Sequence, residues 1–286
     1  VFKLAFCNDA HASPVYSVDG NSKYLYTGGA DHLIRRWFHP SGRQDAFNIS
    51  HSHTPMALRC IGDSMLAIAY LNGENYLIDA FSKKVLFEFR LIEDHVVSFY
   101  VDLMSNRLLL GTASGHIKAL ALDSMKWLYE DQVAQGKIRK IHASENESML
   151  YFTSQDGHVG QFDSEKGVLK DRFSAHQGGA NGLVINAGFI LTGGKDGYLR
   201  LWDEKSKTLC KEIPAHRGVI YDLLAFEDCW VSASRDKSIK IWERYSLAPL
   251  QKLSIHRQSV NALLQQNEHS FVSVSDDKKM AYWTKL

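Results

Sequence analysis

Polar and apolar residues alternate along most of this chain with a period of two. Between residues 208 and 243 the runs TLCKEI, VIYDLLAF, CWVSASRD and SIKIWE follow one another. Successive side chains of a strand point to opposite faces, whereas a helix face recurs every 3.6 residues, so these runs predict short β-strands. Gly, Asp, Asn and Lys separate them. Pairs such as Asp196-Gly197 and Asp236-Lys237 suit a tight turn between the second and third strands of a group of four. Helix periodicity is nearly absent.

The group of four recurs. Residues 191–205 read LTGGKDGYLRLWDEK and residues 231–243 read VSASRDKSIKIWE, the same design in different letters. The last apolar residue of the third strand falls at Trp37, Ile78, Leu120, Phe162, Trp202, Trp242 and Trp283, a repeat of 40 to 42 residues. Leu122 offers the third unit a second end of the same side-chain parity. A single repeat cannot bury its own apolar face, so the seven units are expected to stack as one domain spanning residues 1–286. The predicted fold class is all-β, a seven-bladed β-propeller of four-stranded antiparallel blades.

The seventh unit reaches AYWTKL directly after its third strand, while VFKLAF at residues 1–6 stands before His11 as CKEIPA stands before His216. The N-terminal strand is therefore expected as the outer strand of the last blade, closing the ring and covering an edge that would otherwise be free to pair.

Composition narrows the class. The chain is 45% hydrophobic and 23% charged, with a formal net charge of +1, which gives no electrostatic reason for strong non-specific binding to nucleic acid or a membrane surface. Apolar stretches are interrupted by charge well short of the ~20 residues that a membrane helix needs. The first residues carry neither a basic leader nor a long apolar run, and no signal peptide is expected. Cys7, Cys60, Cys210 and Cys229 form no CxxC pair and are expected as reduced thiols of a cytoplasmic protein.

The repeat carries polar residues at fixed spacing, and with them the chain resembles the WD-repeat β-propeller family over essentially its whole length. That resemblance implies, in each blade, a linked His, Ser or Thr, Asp and Trp. Four units supply all of them: His11, Thr27, Asp31 and Trp37; His176, Thr192, Asp196 and Trp202; His216, Ser232, Asp236 and Trp242; His256, Ser273, Asp277 and Trp283. The His-to-Trp spacing is 26, 26, 26 and 27 residues. Units two to four depart from the pattern, with Ile78, Leu120 and Phe162 for Trp, Asn72 for the Asp of the second, and Gly136 at the His position of the fourth, which keeps Asp156. Those blades are expected to lean on apolar packing and to be the least regular.

No GxSxG elbow, phosphate-binding loop or dinucleotide fingerprint occurs, and neither a catalytic residue nor a cofactor is expected. The recurrent histidines already have a structural place. His51 and His53 in ISHSHT could hold a transition metal, but no third ligand is near in sequence, and the reading is a solvated loop with no metal.

The resemblance implies a non-catalytic platform binding a peptide or protein at the mouth of a central channel. The alternative is a propeller enzyme or small-molecule binder using that channel. Family geometry points two residues per blade at the rim. The first set is Tyr16, Met56, Val97, Arg139, Asn181, Tyr221 and Asn261; the second is Ala30, Leu71, Ala113, Gln155, Lys195, Arg235 and Asp276. Tyr16, Met56, Arg139, Gln155, Asn181, Lys195, Tyr221, Arg235 and Asn261 are the candidate partner-binding residues, a mixture of aromatic and basic anchors. A monomer is expected, docking an acidic or aromatic-containing peptide near blades four to six.

Overall fold

The computed structural model describes residues 1–144 and 149–286, and every regular element among them is a β-strand. The strands form seven four-stranded sheets in which chain neighbours pair. Blade one holds Val15–Gly20, Tyr24–Gly29, Leu33–Phe38 and Gln44–Ser50; blade two holds Pro55–Ile61, Met65–Tyr70, Glu74–Asp79 and Val85–Arg90. Blade three holds Val96–Asp102, Arg107–Thr112, His116–Ala121 and Trp127–Gln132; blade four holds Ile138–Ala143, Leu150–Ser154, His158–Asp163 and Val168–Ser174. Blade five holds Ala180–Asn186, Phe189–Gly194, Tyr198–Asp203 and Leu209–Pro214; blade six holds Ile220–Ala225, Cys229–Ser234, Ile239–Glu243 and Pro249–Leu253. Blade seven takes Val260–Asn267, Ser270–Ser275 and Lys279–Lys285 from the C-terminal end of the chain and Phe2–Asp9 from the N-terminal end.

Two compact units divide these blades. Residues 1–96, 237–239 and 251–286 form one, with blades one, two and seven; residues 97–236 and 240–250 form the other, with most of blades three to six.

Burial explains the two kinds of strand pattern. Second strands such as RLLLGT, CWVSAS and SFVSVS are buried at every position, so apart from the paired Arg107 both faces carry apolar or small residues and no polar alternation survives. Fourth strands such as LCKEIP are exposed at most positions. In the second unit, Leu191, Leu199, Leu201, Leu223, Trp230 and Trp242 pack into one apolar cluster between blades five and six.

The expected placement of the N-terminal strand is what the structure shows. It pairs antiparallel with Lys279–Lys285 from Phe2↔Lys285 to Asp9↔Lys279. Phe2 is 1% exposed, set edge-on to Phe271 at 5.0 Å, and Phe6 stacks on Tyr282 at 5.0 Å. Gln251 clamps the strand's start: its Oε1 accepts the Phe2 amide at 2.8 Å and its Nε2 donates to the Phe2 carbonyl at 2.7 Å.

The turn between second and third strands obeys one rule throughout. The third residue after the second strand is left-handed in every blade, at His32, Gly73, Gly115, Gly157, Gly197, Lys237 and Lys278, with φ between 65° and 94°. At Gly157 a Cβ would stand 2.0 Å from the His176 carbonyl oxygen, so both the conformation and the space call for glycine.

Blades two to four are each a complete four-stranded sheet. Apolar pairs replace the polar set. Ile68 and Ile78 in blade two, Leu110 and Leu120 in blade three, and Phe152 and Phe162 in blade four are all buried. In blade four the Phe152 ring lies over Gly160, where a Cβ would stand 2.1 Å from the ring.

Candidate interaction site at the blade turns

Each residue of the first rim set is the second residue of its blade's first strand. In six blades the strand register slips at that residue. The slips fall between Val15 and Ser17, Pro55 and Ala57, Ile138 and Lys140, Ala180 and Gly182, Ile220 and Asp222, and Val260 and Ala262. Tyr16, Met56, Arg139, Asn181, Tyr221 and Asn261 are thus the extra residues of β-bulges. A bulge breaks the alternation of the strand and re-aims the side chain of its unpaired residue.

The second set stands beside the first. Each of its members directly follows the second strand. The amides of Ala30, Leu71, Gln155, Lys195, Arg235 and Asp276 donate to the carbonyls of Pro14, Thr54, Lys137, Gly179, Val219 and Ser259, the residues just before the bulged strand, at 2.8–3.0 Å. One repeated backbone bond therefore brings the two candidate side chains of each of these blades to the same corner.

The polar sets fix those corners in blades one, five, six and seven. His Nε2 lies 2.7–2.9 Å from the Thr or Ser hydroxyl, and Trp Nε1 donates to the same oxygen at 2.8–3.0 Å. Nδ1 of His11, His176, His216 and His256 faces Asp31, Asp196, Asp236 and Asp277 at 2.8–3.1 Å. A carboxylate can only accept, so Nδ1 donates to it; the hydroxyl takes the indole proton and gives its own to Nε2. Each imidazole is thereby satisfied while neutral. Burial pushes the His11 and His176 imidazoles below their ordinary pKa, against the pull of their Asp partners. Asp277 is held at about 2, because its bonds from His256 and the Arg257 amide outweigh the upward effect of burial.

The acids beside the rim are accordingly spent. Asp196 binds His176 and Arg200, Asp236 binds His216 and the Arg217 amide, and Asp156 binds Ser154, the Gln135 amide and Arg172. The adjacent Gln155, Lys195 and Arg235 are exposed. Among the described residues no carboxylate pairs with Arg139, Lys195 or Arg235. Arg139 is half-buried, its Nε is buried without a hydrogen-bond partner, and burial pulls its guanidinium below the usual range with only Tyr221 acting the other way. Lys137 adds a second charge beside it, its own pKa lowered by burial and then by Arg139. At the rim of blades four to six, all within the second unit, Arg139, Lys195 and Arg235 therefore stand without a paired carboxylate among the described residues.

Two candidates are otherwise engaged. Asn181 is buried and donates Nδ2 to the Ile220 carbonyl at 3.3 Å, and Asn261 donates to the Val15 carbonyl and to Asp276, both at 2.8 Å. Each ties its bulge to the first strand of the next blade. In the first unit, Tyr16 remains 36% exposed and Met56 is half-buried. Sequence reasoning missed Lys137, although GKIRK at residues 136–140 announces a basic cluster around the bulge residue.

Residues 2–37, 167–203 and 207–243 match the family model described as WD domain, G-beta repeat. These are the N-terminal strand with blade one as far as Trp37, and the segments running through the Trp of blades five and six. No curated protein matches the chain.

Proposed function

We propose, on the premise that this chain is a WD-repeat β-propeller, that it is a non-catalytic interaction scaffold and that the turn edge of blades four to six receives an acidic segment of a protein partner. Propellers of this family generally serve as protein-interaction scaffolds. The observation that carries the finer reading is the Arg139 guanidinium, partly desolvated with no carboxylate beside it among the described residues. A desolvated cation without a partner costs free energy that an incoming carboxylate returns. Tyr221, on the equivalent bulge of blade six and close enough to Arg139 to interact electrostatically, supplies a rigid apolar surface beside it. Lys195 and Arg235 extend the charge outward, where they add to the rate and salt dependence of association more than to buried contact.

The test begins with affinity capture from the native cell extract to obtain the partner, followed by titration against it. Arg139→Ala, Tyr221→Ala and Arg235→Ala are each expected to weaken binding by about 1–3 kcal/mol without altering the thermal melt. Arg235→Ala should also flatten the salt dependence. Wild-type affinity in the double variant Tyr221→Ala with Arg235→Ala would send the search to the outer strands or the opposite edge.

A further inference from the structure

We infer that His51, His53 and Glu74 form a binding site for a borderline transition-metal dication such as Zn²⁺. The three residues belong to the first unit. His51 and His53 lie in the connection that leaves blade one, and Glu74 opens the third strand of blade two. Their donor atoms all lie within 4.8 Å of one another. The sequence offered only the two histidines, because the carboxylate is more than twenty residues away and arrives through the pairing of blade two.

The surroundings hold the first ligand in place. The His51 ring stacks on the buried Tyr70 with centroids 3.8 Å apart, and Tyr76 meets it at 6.1 Å. This fixes the plane in which His51 Nε2 reaches Glu74 Oε2 at 2.9 Å. The His53 amide donates to His51 Nδ1 at 3.1 Å, so the proton of the neutral His51 ring is on Nε2 and is given to Glu74. Ser52 Oγ lies 2.9 Å from His53 Nδ1, which leaves His53 Nε2 as the ring atom open to solvent. Arg90 approaches Glu74 only through the other carboxylate oxygen, at 4.0 Å.

A dication placed between these groups takes the position of the proton that His51 shares with Glu74. The His51 proton moves to Nδ1, the bond from the His53 amide is given up, and the freed turn lets His53 Nε2 swing in as the third ligand. No net proton leaves a neutral ring in that exchange. Two imidazoles and one carboxylate suit Zn²⁺, Ni²⁺ or Cu²⁺ and are too few and too soft for Mg²⁺ or Ca²⁺. Three protein ligands on an exposed turn leave a coordination position for water or for a donor from another molecule.

The experiment uses untagged, chelator-stripped protein titrated with Zn²⁺ against a chromophoric chelator, with Mg²⁺ in parallel. One equivalent of Zn²⁺ should bind and Mg²⁺ should not. Loss of an outer-shell partner of a metal ligand already weakens affinity by about 10–100-fold, so His53→Ala and Glu74→Gln, both at solvent-accessible positions, should each weaken Zn²⁺ binding by about tenfold or more. The His51 and His53 ring resonances should shift together on saturation. Failure to take up an equivalent of Zn²⁺, or uptake unchanged in both variants, overturns the assignment.

Discussion

Blades four and five are built on one plan with different cores, and the difference shows what the repeat requires. In blade five a buried hydroxyl, Thr192, joins His176 to Trp202, and Asp196 closes the chain of bonds at the turn. In blade four the same interior positions hold Phe152 and Phe162, both buried, and Gly160 makes room for the first ring. Both blades have four strands, both bulge at the second residue of the first strand, and both close that bulge with the amide after the second strand. The polar set is one way to fill the wedge beneath the turn, and a pair of aromatic rings is another. A hydroxyl or imidazole buried without its partners would cost more than the bond it replaces contributes.

The comparison is tested most severely where a blade has its full polar set but borrows a strand. Removing residues 1–6 takes away the buried Phe2 and the Phe6 stack from blade seven, and should lower stability by about 3 kcal/mol or more, read as a lower melting temperature. An unchanged melt would show that the His256 set holds the blade without its fourth strand.

Trp202→Ala and Phe162→Ala should be equally harmful, each costing about 3–5 kcal/mol in chemical denaturation as a large buried aromatic is lost. A Phe162→Ala variant that lost much less would mean that blade four depends on its rings less than blade five depends on its indole.

Exchanging the chemistry sharpens the contrast further. Thr192→Val strands the Trp202 indole N–H and His176 Nε2, while Ile68→Thr buries a hydroxyl in a blade that has no polar set, and each should cost about 1–3 kcal/mol. Near-neutral behaviour of either substitution would show that water or backbone satisfies the orphaned group.

The smallest effect is the response to acid, and its histidine stage belongs to the polar blades. His11 and His176 have folded pKa values below the ordinary 6.5, so the unfolded chain binds more protons as pH falls through that value, and stability should decline from there downward. Asp277 at about 2 against an ordinary 3.8 adds stability that is present above the higher value and lost as pH falls toward the lower. Thermal melts at pH 7, 5 and 3 should therefore fall in two stages. His176→Gln should reduce the first stage, and Phe162→Ala should leave it as it is.

Much of this was legible in the residues themselves. The period of two, the 40–42-residue recurrence and the spacing of His, Thr or Ser, Asp and Trp specify strands, blades and the polar sets, because each depends on local alternation and on contacts repeated within one unit. The position of VFKLAF before His11, like that of CKEIPA before His216, pointed to the long-range pairing of the N-terminal strand with Lys279–Lys285. The site was legible only as a set of positions. Tertiary structure decided that Asn181 and Asn261 bind the neighbouring blade's backbone, that the acids at residues 156, 196 and 236 turn toward their own partners and leave Arg139 without one, and that Glu74 comes to stand against His51. Those outcomes depend on which side chains from different blades or distant strands meet at a corner. No spacing within a single repeat encodes that meeting, because it is set by the bulge that re-aims one residue and by the packing that desolvates it.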